Sequence, residues 1–231
     1  MAAPETPDEP RRSGGPGLFR SFGSAASGAE DYRMLLTVIA GLSLGVAATA
    51  LPALIEGPFA TWLYPAKVAM WLTGIAATVL EYLAVSFGSR LYLVRVELFA
   101  TLSLSLVFLA QAGMFVVLTM GSDNLGTRWF VMFAFFNLLS GLEAEHGRRV
   151  VLKHAVGKFP EQVVHRYAGS LKQVALFVTV TGALSLVFAI LGGGVPNVVV
   201  FVMALLALGT TVAANVQQRK IRDELAQYGI I

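Results

Sequence analysis

Three polar side chains lie inside long apolar stretches of the sequence, where a polar group without a partner is costly. They are Glu81, Gln111 and Asn137, each in a different stretch. An acid inside a membrane segment favours a functional hypothesis first, here a proton or cation site in a transport path. The alternative is structural, with Glu81 paired to Arg90 or Arg95 to fix helix packing. For the two amides, hydrogen bonding between helices is the simpler interpretation.

Six apolar stretches are each near the length of about 20 residues that a helix needs to cross a hydrocarbon core. The fold class predicted from them is an all-α integral membrane protein, a bundle of six transmembrane helices within residues 34–216. The predicted spans are 34–55, 66–87, 96–120, 128–145, 173–191 and 196–216. Residues 1–33 are predicted to be a disordered tail, because Pro, Gly, Ser and charged residues dominate there. Residues 217–231 are predicted to form a C-terminal helix.

Lysine and arginine are distributed very unevenly around these spans. Of the 17 Lys and Arg residues, only Lys67 and Arg128 flank one side, and the rest flank the other. Cytoplasmic loops carry such an excess of positive charge. We therefore expect both termini in the cytoplasm, with the bacterial cytoplasmic membrane as the location and anionic lipids as partners at its inner face. The same arginines explain the net charge of +3, so no nucleic-acid partner is expected.

Small and charged residues predict how the helices pack and where they end. Small residues allow close helix approach, which predicts packing positions at Gly41, Gly45, Gly74 and Gly141. Charged residues at the inner helix ends predict an interfacial ion-pair belt of Arg90, Arg95, Glu97, Glu143, Glu145, Arg148 and Arg149. The inner loop, about 145–172, shows helical spacing of apolar residues, which predicts one or two amphipathic helices on the cytoplasmic leaflet.

The sequence offers little for catalysis. It contains no cysteine, which removes disulfides, thiol chemistry and Cys-based zinc sites. Glu143 and His146 have a spacing that can serve a metal, but a single Glu-x-x-His is weak support. No histidine or aspartate lies within a predicted span, which disfavours intramembrane proteolysis. We therefore predict no catalytic residues, no metal, no cofactor and no enzymatic activity.

Two functions are left open by these observations. The first is a small transporter or channel, with a polar path that includes Glu81 and could include Gln111 and Asn137. The second is a non-enzymatic membrane subunit or scaffold that binds partners through its inner loop and tails. Transport is slightly favoured because three buried polar residues lie among small-residue faces. A membrane-protein partner or a homo-oligomer is compatible with either.

Overall fold

In the computed structural model, the described residues are 25–55, 61–92, 98–121, 123–154, 156–157, 159–191 and 194–226. Apart from one isolated bridge between Val156 and Phe159, the regular structure in these ranges is helical. The helices are α1 (Ala25–Thr49), α2 (Leu51–Ile55), α3 (Leu63–Tyr92), α4 (Leu98–Thr119), α5 (Leu125–His154), α6 (Glu161–Leu191) and α7 (Asn197–Ala226). Six segments are long and apolar enough to cross a membrane, with α1 and α2 together forming the first. The predicted six-span helical architecture is confirmed at this level.

The break between α1 and α2 has a local cause. Pro52 cannot donate a hydrogen bond to the carbonyl four residues back, so the regular α-helical ladder is interrupted there. The amide of Ala50 instead bonds the Ala47 carbonyl at 3.2 Å. The indole nitrogen of Trp71 on α3 donates to the same carbonyl at 2.9 Å. This contact ties the break in the first span to the second span.

The segment between the fourth and fifth spans, where one or two amphipathic helices are predicted at about 145–172, is largely helical. Helix α5 continues to His154 and α6 begins at Glu161, so both spans extend into this segment. Its apolar residues pack on one another and on α3 in a single cluster, comprising Phe87, Val151, Val163, Val164, Tyr167 and Ala168. The rings of Phe87 and Tyr167 meet edge to face with centroids 5.9 Å apart. Neighbouring helices therefore cover the apolar residues of this cluster.

Four helices form the middle of the bundle, and two lie outside it. Helices α3 and α4 contact each other, and each of them also contacts α1 and α5, so we call these four helices the four-helix core. Helix α6 packs mainly on α5, and α7 packs mainly on α3, with little contact between α6 and α7. Large apolar side chains on these outer helices, including Leu184, Ile190 and Leu206, are exposed. Such faces suit contact with lipid chains.

The two ends of the bundle differ in charge and in packing. One end, which we call the basic end, includes the start of α1 and the ends of α5 and α7. The described Lys and Arg residues there are Arg33, Arg148, Arg149, Lys153, Arg166, Lys172, Arg219 and Lys220. Towards the opposite end, the core is filled by an apolar plug of Met70, Met114, Phe115, Trp129 and Phe133, each at most 1% exposed. The predicted tail at 1–33 lies outside the described residues as far as residue 24.

Candidate functional site

Glu81 is held between two helices of the four-helix core. It lies on α3, and the hydroxyl of Ser140 on α5 donates a hydrogen bond to its Oε2 atom at 3.3 Å. Ser140 is itself buried, at 7% exposure. A buried hydroxyl that donates to a carboxylate compensates part of the cost of removing the acid from water. The contact therefore fixes Glu81 towards α5 and the interior of the bundle.

A second acid lies close to Glu81. Glu143 follows Ser140 by three residues on α5, so both side chains lie on one face of the helix. The hydroxyl of Ser103 on α4 donates to Oε1 of Glu143 at 2.7 Å. The carboxyl groups of Glu143 and Glu81 are near enough to interact electrostatically. Three helices thus bring two acids and two hydroxyl donors together.

The first helix completes this group. Tyr32 on α1 interacts electrostatically with both Glu81 and Glu143. One residue beyond Glu81, the hydroxyl of Tyr82 lies 3.3 Å from that of Thr37 on α1. Each helix of the four-helix core therefore contributes to one polar group, which we call the acidic cluster. Its members are Tyr32, Glu81, Ser103, Ser140 and Glu143.

The acidic cluster is not neutralised by a strong base in the described part of the chain. There, neither Glu81 nor Glu143 forms an ion pair with Lys or Arg. His146 acts electrostatically on Glu143 from one turn further along α5. Two neighbouring carboxyl groups in a low-dielectric interior repel each other when both are ionised. A proton or a cation between them would relieve that repulsion.

Of the acids in the predicted ion-pair belt, Glu145 forms ion pairs with Arg148 and Arg149, and Glu143 forms none with Lys or Arg among the described residues. The carboxylate of Glu145 accepts from Arg148 at 2.7 Å and from Arg149 at 2.9 Å. Glu143 points elsewhere because two residues along a helix correspond to a rotation of about 200°. Arg95 and Glu97 lie outside the described residues. Arg90 lies within α3, and its side chain is outside the description.

The two amides singled out from the sequence differ in their hydrogen bonding. Asn137 donates to the Phe133 carbonyl of its own helix at 2.7 Å. Its Cβ atom lies 3.2 Å from where a side chain at Gly182 of α6 would begin, so it faces the outer helix. Gln111 on α4 is fully buried, and both its amide nitrogen and its oxygen are without a hydrogen-bond partner among the described residues.

The predicted packing glycines fall into two groups. A Cβ atom at Gly74 would lie 2.6 Å from the ring of Phe115, and one at Gly141 would meet the side chain of Thr179. These two glycines permit close contacts of α3 with α4 and of α5 with α6. A Cβ atom at Gly41 or Gly45 would meet nothing within 4 Å. The face of α1 that carries these two residues is therefore exposed and takes no part in packing within the chain.

Sequence reasoning missed three members of the acidic cluster, namely Tyr32, Ser103 and Ser140. A signal was available for Ser140, because its spacing of three from Glu143 puts both on one face of a helix. Tyr32 and Ser103 carried no such signal, since each comes from a different helix. Among the described residues, no three His, Asp or Glu side chains form a group that could hold a metal ion. The arrangement can exchange a proton or bind a small cation.

Comparisons of the chain with protein-family models, with curated proteins and with solved structures found no match.

Proposed function

We propose that this protein is a small transporter that moves a proton or a cation through its four-helix core, with the acidic cluster as the binding position. The observation that carries the proposal is the hydrogen bond from Ser140 to Glu81, which brings Glu81 beside the turn of α5 that holds Glu143. Among the described residues, neither acid forms an ion pair with Lys or Arg. Ionisable groups in membrane segments are costly and are retained mostly where ions or protons pass. Two such groups close together support a transport function more strongly than one does.

The apolar plug favours a transporter over an open channel. Met70, Phe115 and Trp129 are fully buried between the acidic cluster and the opposite end of the bundle. A continuous aqueous path cannot pass through side chains packed in this way. Access to the acidic cluster is therefore expected from the basic end, and release to the other side would require the helices around the plug to move. Alternation between two such states is how many transporters work.

The orientation and the lipid partner belong to the same proposal. Cytoplasmic segments carry an excess of Lys and Arg, so the basic end is proposed to face the cytoplasm. Arg149, Lys153 and Lys172 are exposed there. Anionic head groups attract basic residues close to the membrane surface. On this basis the protein is proposed to be a multi-pass protein of a bacterial cytoplasmic membrane, with anionic lipids around its basic end.

A non-enzymatic scaffold is the second candidate. It is favoured by the hairpin of α5 and α6, in which residues 145–154 and 161–172 continue beyond the predicted spans. Such a projection offers a surface to a partner protein. The scaffold function does not explain, however, why two acids are kept near each other within the bundle, and we rank it second for that reason.

The test is flux through the purified protein in lipid vesicles. Vesicles that contain a pH-sensitive dye report proton movement, and separate vesicles that contain sodium- or potassium-sensitive dyes report cations. We expect a faster flux of at least one of these ions than in protein-free vesicles, under an imposed gradient. The matched control is the same protein inactivated by heat before reconstitution. Equal flux in all preparations for every ion would contradict the proposal and favour the scaffold.

A further inference from the structure

Two buried polar groups, Ser43 on α1 and Gln111 on α4, lie about one turn from the level of the acidic cluster. Leu36 and Ala40 on α1 pack with Leu104 and Phe108 on α4. Both helices begin at the basic end, so a step of three residues along each leads from Ala40 to Ser43 and from Phe108 to Gln111. Ser43 and Gln111 therefore lie at one level of the four-helix core. Ser43 is 2% exposed and Gln111 is 0% exposed.

The polar atoms of both side chains are unsatisfied. The hydroxyl of Ser43 and both polar atoms of the Gln111 amide are without a partner among the described residues. Buried polar groups in proteins are nearly always hydrogen-bonded, because a buried group without a hydrogen bond lowers the stability of the fold. A hydrophobic side chain of similar size at position 111 would avoid this cost. The retained amide is thus an observation, independent of the acids, that points to a ligand.

The level of Gln111 relative to Glu81 follows from the contact of α3 with α4. Phe115 lies against Gly74, and the two helices run in opposite directions. One turn from Phe115 towards the basic end reaches Gln111, and one turn from Gly74 in the same direction reaches Thr78. Glu81 follows Thr78 by a further turn. The amide and the acid are therefore separated by about one helical turn, roughly 5 Å along the bundle.

We infer that Ser43, Gln111 and the acidic cluster form one site for a small protonated amine that also carries an oxygen atom. This inference rests on the proposed transport function and names the class of its substrate. The carboxyl groups of Glu81 and Glu143 attract the ammonium group. The Gln111 amide offers two N–H donors and one acceptor, and the Ser43 hydroxyl offers one donor. A bare metal ion would satisfy oxygen atoms alone and leave the N–H groups of Gln111 unmet.

The aromatic residues beside Gln111 fit the same ligand. Phe108 and Phe115 precede and follow it by three and four residues, so the three side chains share a face of α4. Both rings are buried, at 2% and 0% exposure. Aromatic faces attract organic cations, and more strongly in a desolvated site. The site therefore combines negative charge, aromatic faces and an amide.

The test is binding of radiolabelled ethanolamine to the purified protein in detergent, measured by equilibrium dialysis. We expect saturable binding that neither sodium nor tetramethylammonium displaces, since neither ion has N–H donors. Glu81→Gln should abolish binding. Gln111→Met, which keeps the size of the side chain, should weaken binding about fivefold to tenfold, as expected for the loss of one or two hydrogen bonds. Asn137→Ala is the control, because this amide faces α6, and it should bind as the wild type does.

Several results would overturn the inference. They are no binding to the wild type, displacement by sodium, or unchanged binding by Gln111→Met. If Gln111→Met does not fold, Ser43→Ala provides the same comparison, and unchanged binding by that variant would count against the site. Ion flux in vesicles without ethanolamine binding would remove the inference and leave the transport function standing. Ethanolamine binding without any flux would remove the transport function and leave the binding site standing.

Discussion

The hydroxyl of Ser140 on α5 donates to the carboxylate of Glu81 on α3 across 3.3 Å. This hydrogen bond joins two helices that otherwise touch little. It also sets the position of Glu143, which lies one turn further along α5 and is hydrogen-bonded by Ser103. The hydrogen bond from Ser140 therefore places Glu81 within about one helical turn of Glu143 along α5.

Orientation can be tested by labelling with an impermeant thiol reagent in intact cells. The chain has no native cysteine, so the background is clean. Asp123→Cys at the opposite end is expected to react from outside, and Lys153→Cys at the basic end is expected to react only after the cells are lysed. Both positions are exposed. Labelling of Lys153→Cys in intact cells would contradict the proposed cytoplasmic location of the basic end.

Helix packing at Gly74 should be sensitive to size. Gly74→Leu places bulk against the buried ring of Phe115, and overpacking of this kind costs about 1–3 kcal/mol. We expect a lower melting temperature in detergent. Gly41→Leu is the matched control, since a side chain there meets nothing within 4 Å, and it should melt as the wild type does. Similar losses in both variants would show that the face of α1 is packed after all.

The hairpin of α5 and α6 should depend on its own apolar cluster. Tyr167→Ala removes the ring that packs on Phe87, and truncation of a buried aromatic residue costs about 3–5 kcal/mol. We expect faster hydrogen exchange in residues 145–172. Phe177→Ala on the exposed face of α6 should leave this exchange unchanged. Exchange in the hairpin that does not respond to Tyr167→Ala would favour amphipathic helices lying on the lipid surface.

Much of the fold could be predicted from length and charge alone, but which faces turn inward could not. In a membrane, lipid chains are as apolar as the protein interior, so an apolar pattern does not tell the two apart. For this reason Gly41 and Gly74 looked equivalent in the sequence, although only Gly74 packs within the chain. Glu143 and Glu145 are both close in sequence to Arg148 and are both predicted in the belt, whereas the rotation of the helix turns Glu145 towards the arginines. A helical-wheel comparison of positions 140, 143 and 145 would have separated them.

The ion pairs of Glu145 are expected to matter little for folding. They are made with Arg148 and Arg149 at a helix end, where pairs in contact with solvent contribute weakly. Glu145→Gln should therefore keep the melting temperature of the wild type within error, and it should also keep wild-type flux, because the residue is outside the acidic cluster. A large loss of either property would show that the belt has a role that its geometry does not explain.

The most direct measurement of the central claim compares Glu81→Gln with Glu145→Gln, both for flux in vesicles and for melting in detergent. The amide keeps the shape of Glu81 and can still accept the hydrogen bond from Ser140, but it cannot ionise. If the acidic cluster carries the transported proton or cation, Glu81→Gln melts at or above the wild-type temperature and loses flux at least about tenfold, since intramembrane acids of this kind mark ion pathways. Glu145→Gln keeps both properties. Wild-type flux together with a lower melting temperature in Glu81→Gln would contradict the account and leave Glu81 as a packing residue.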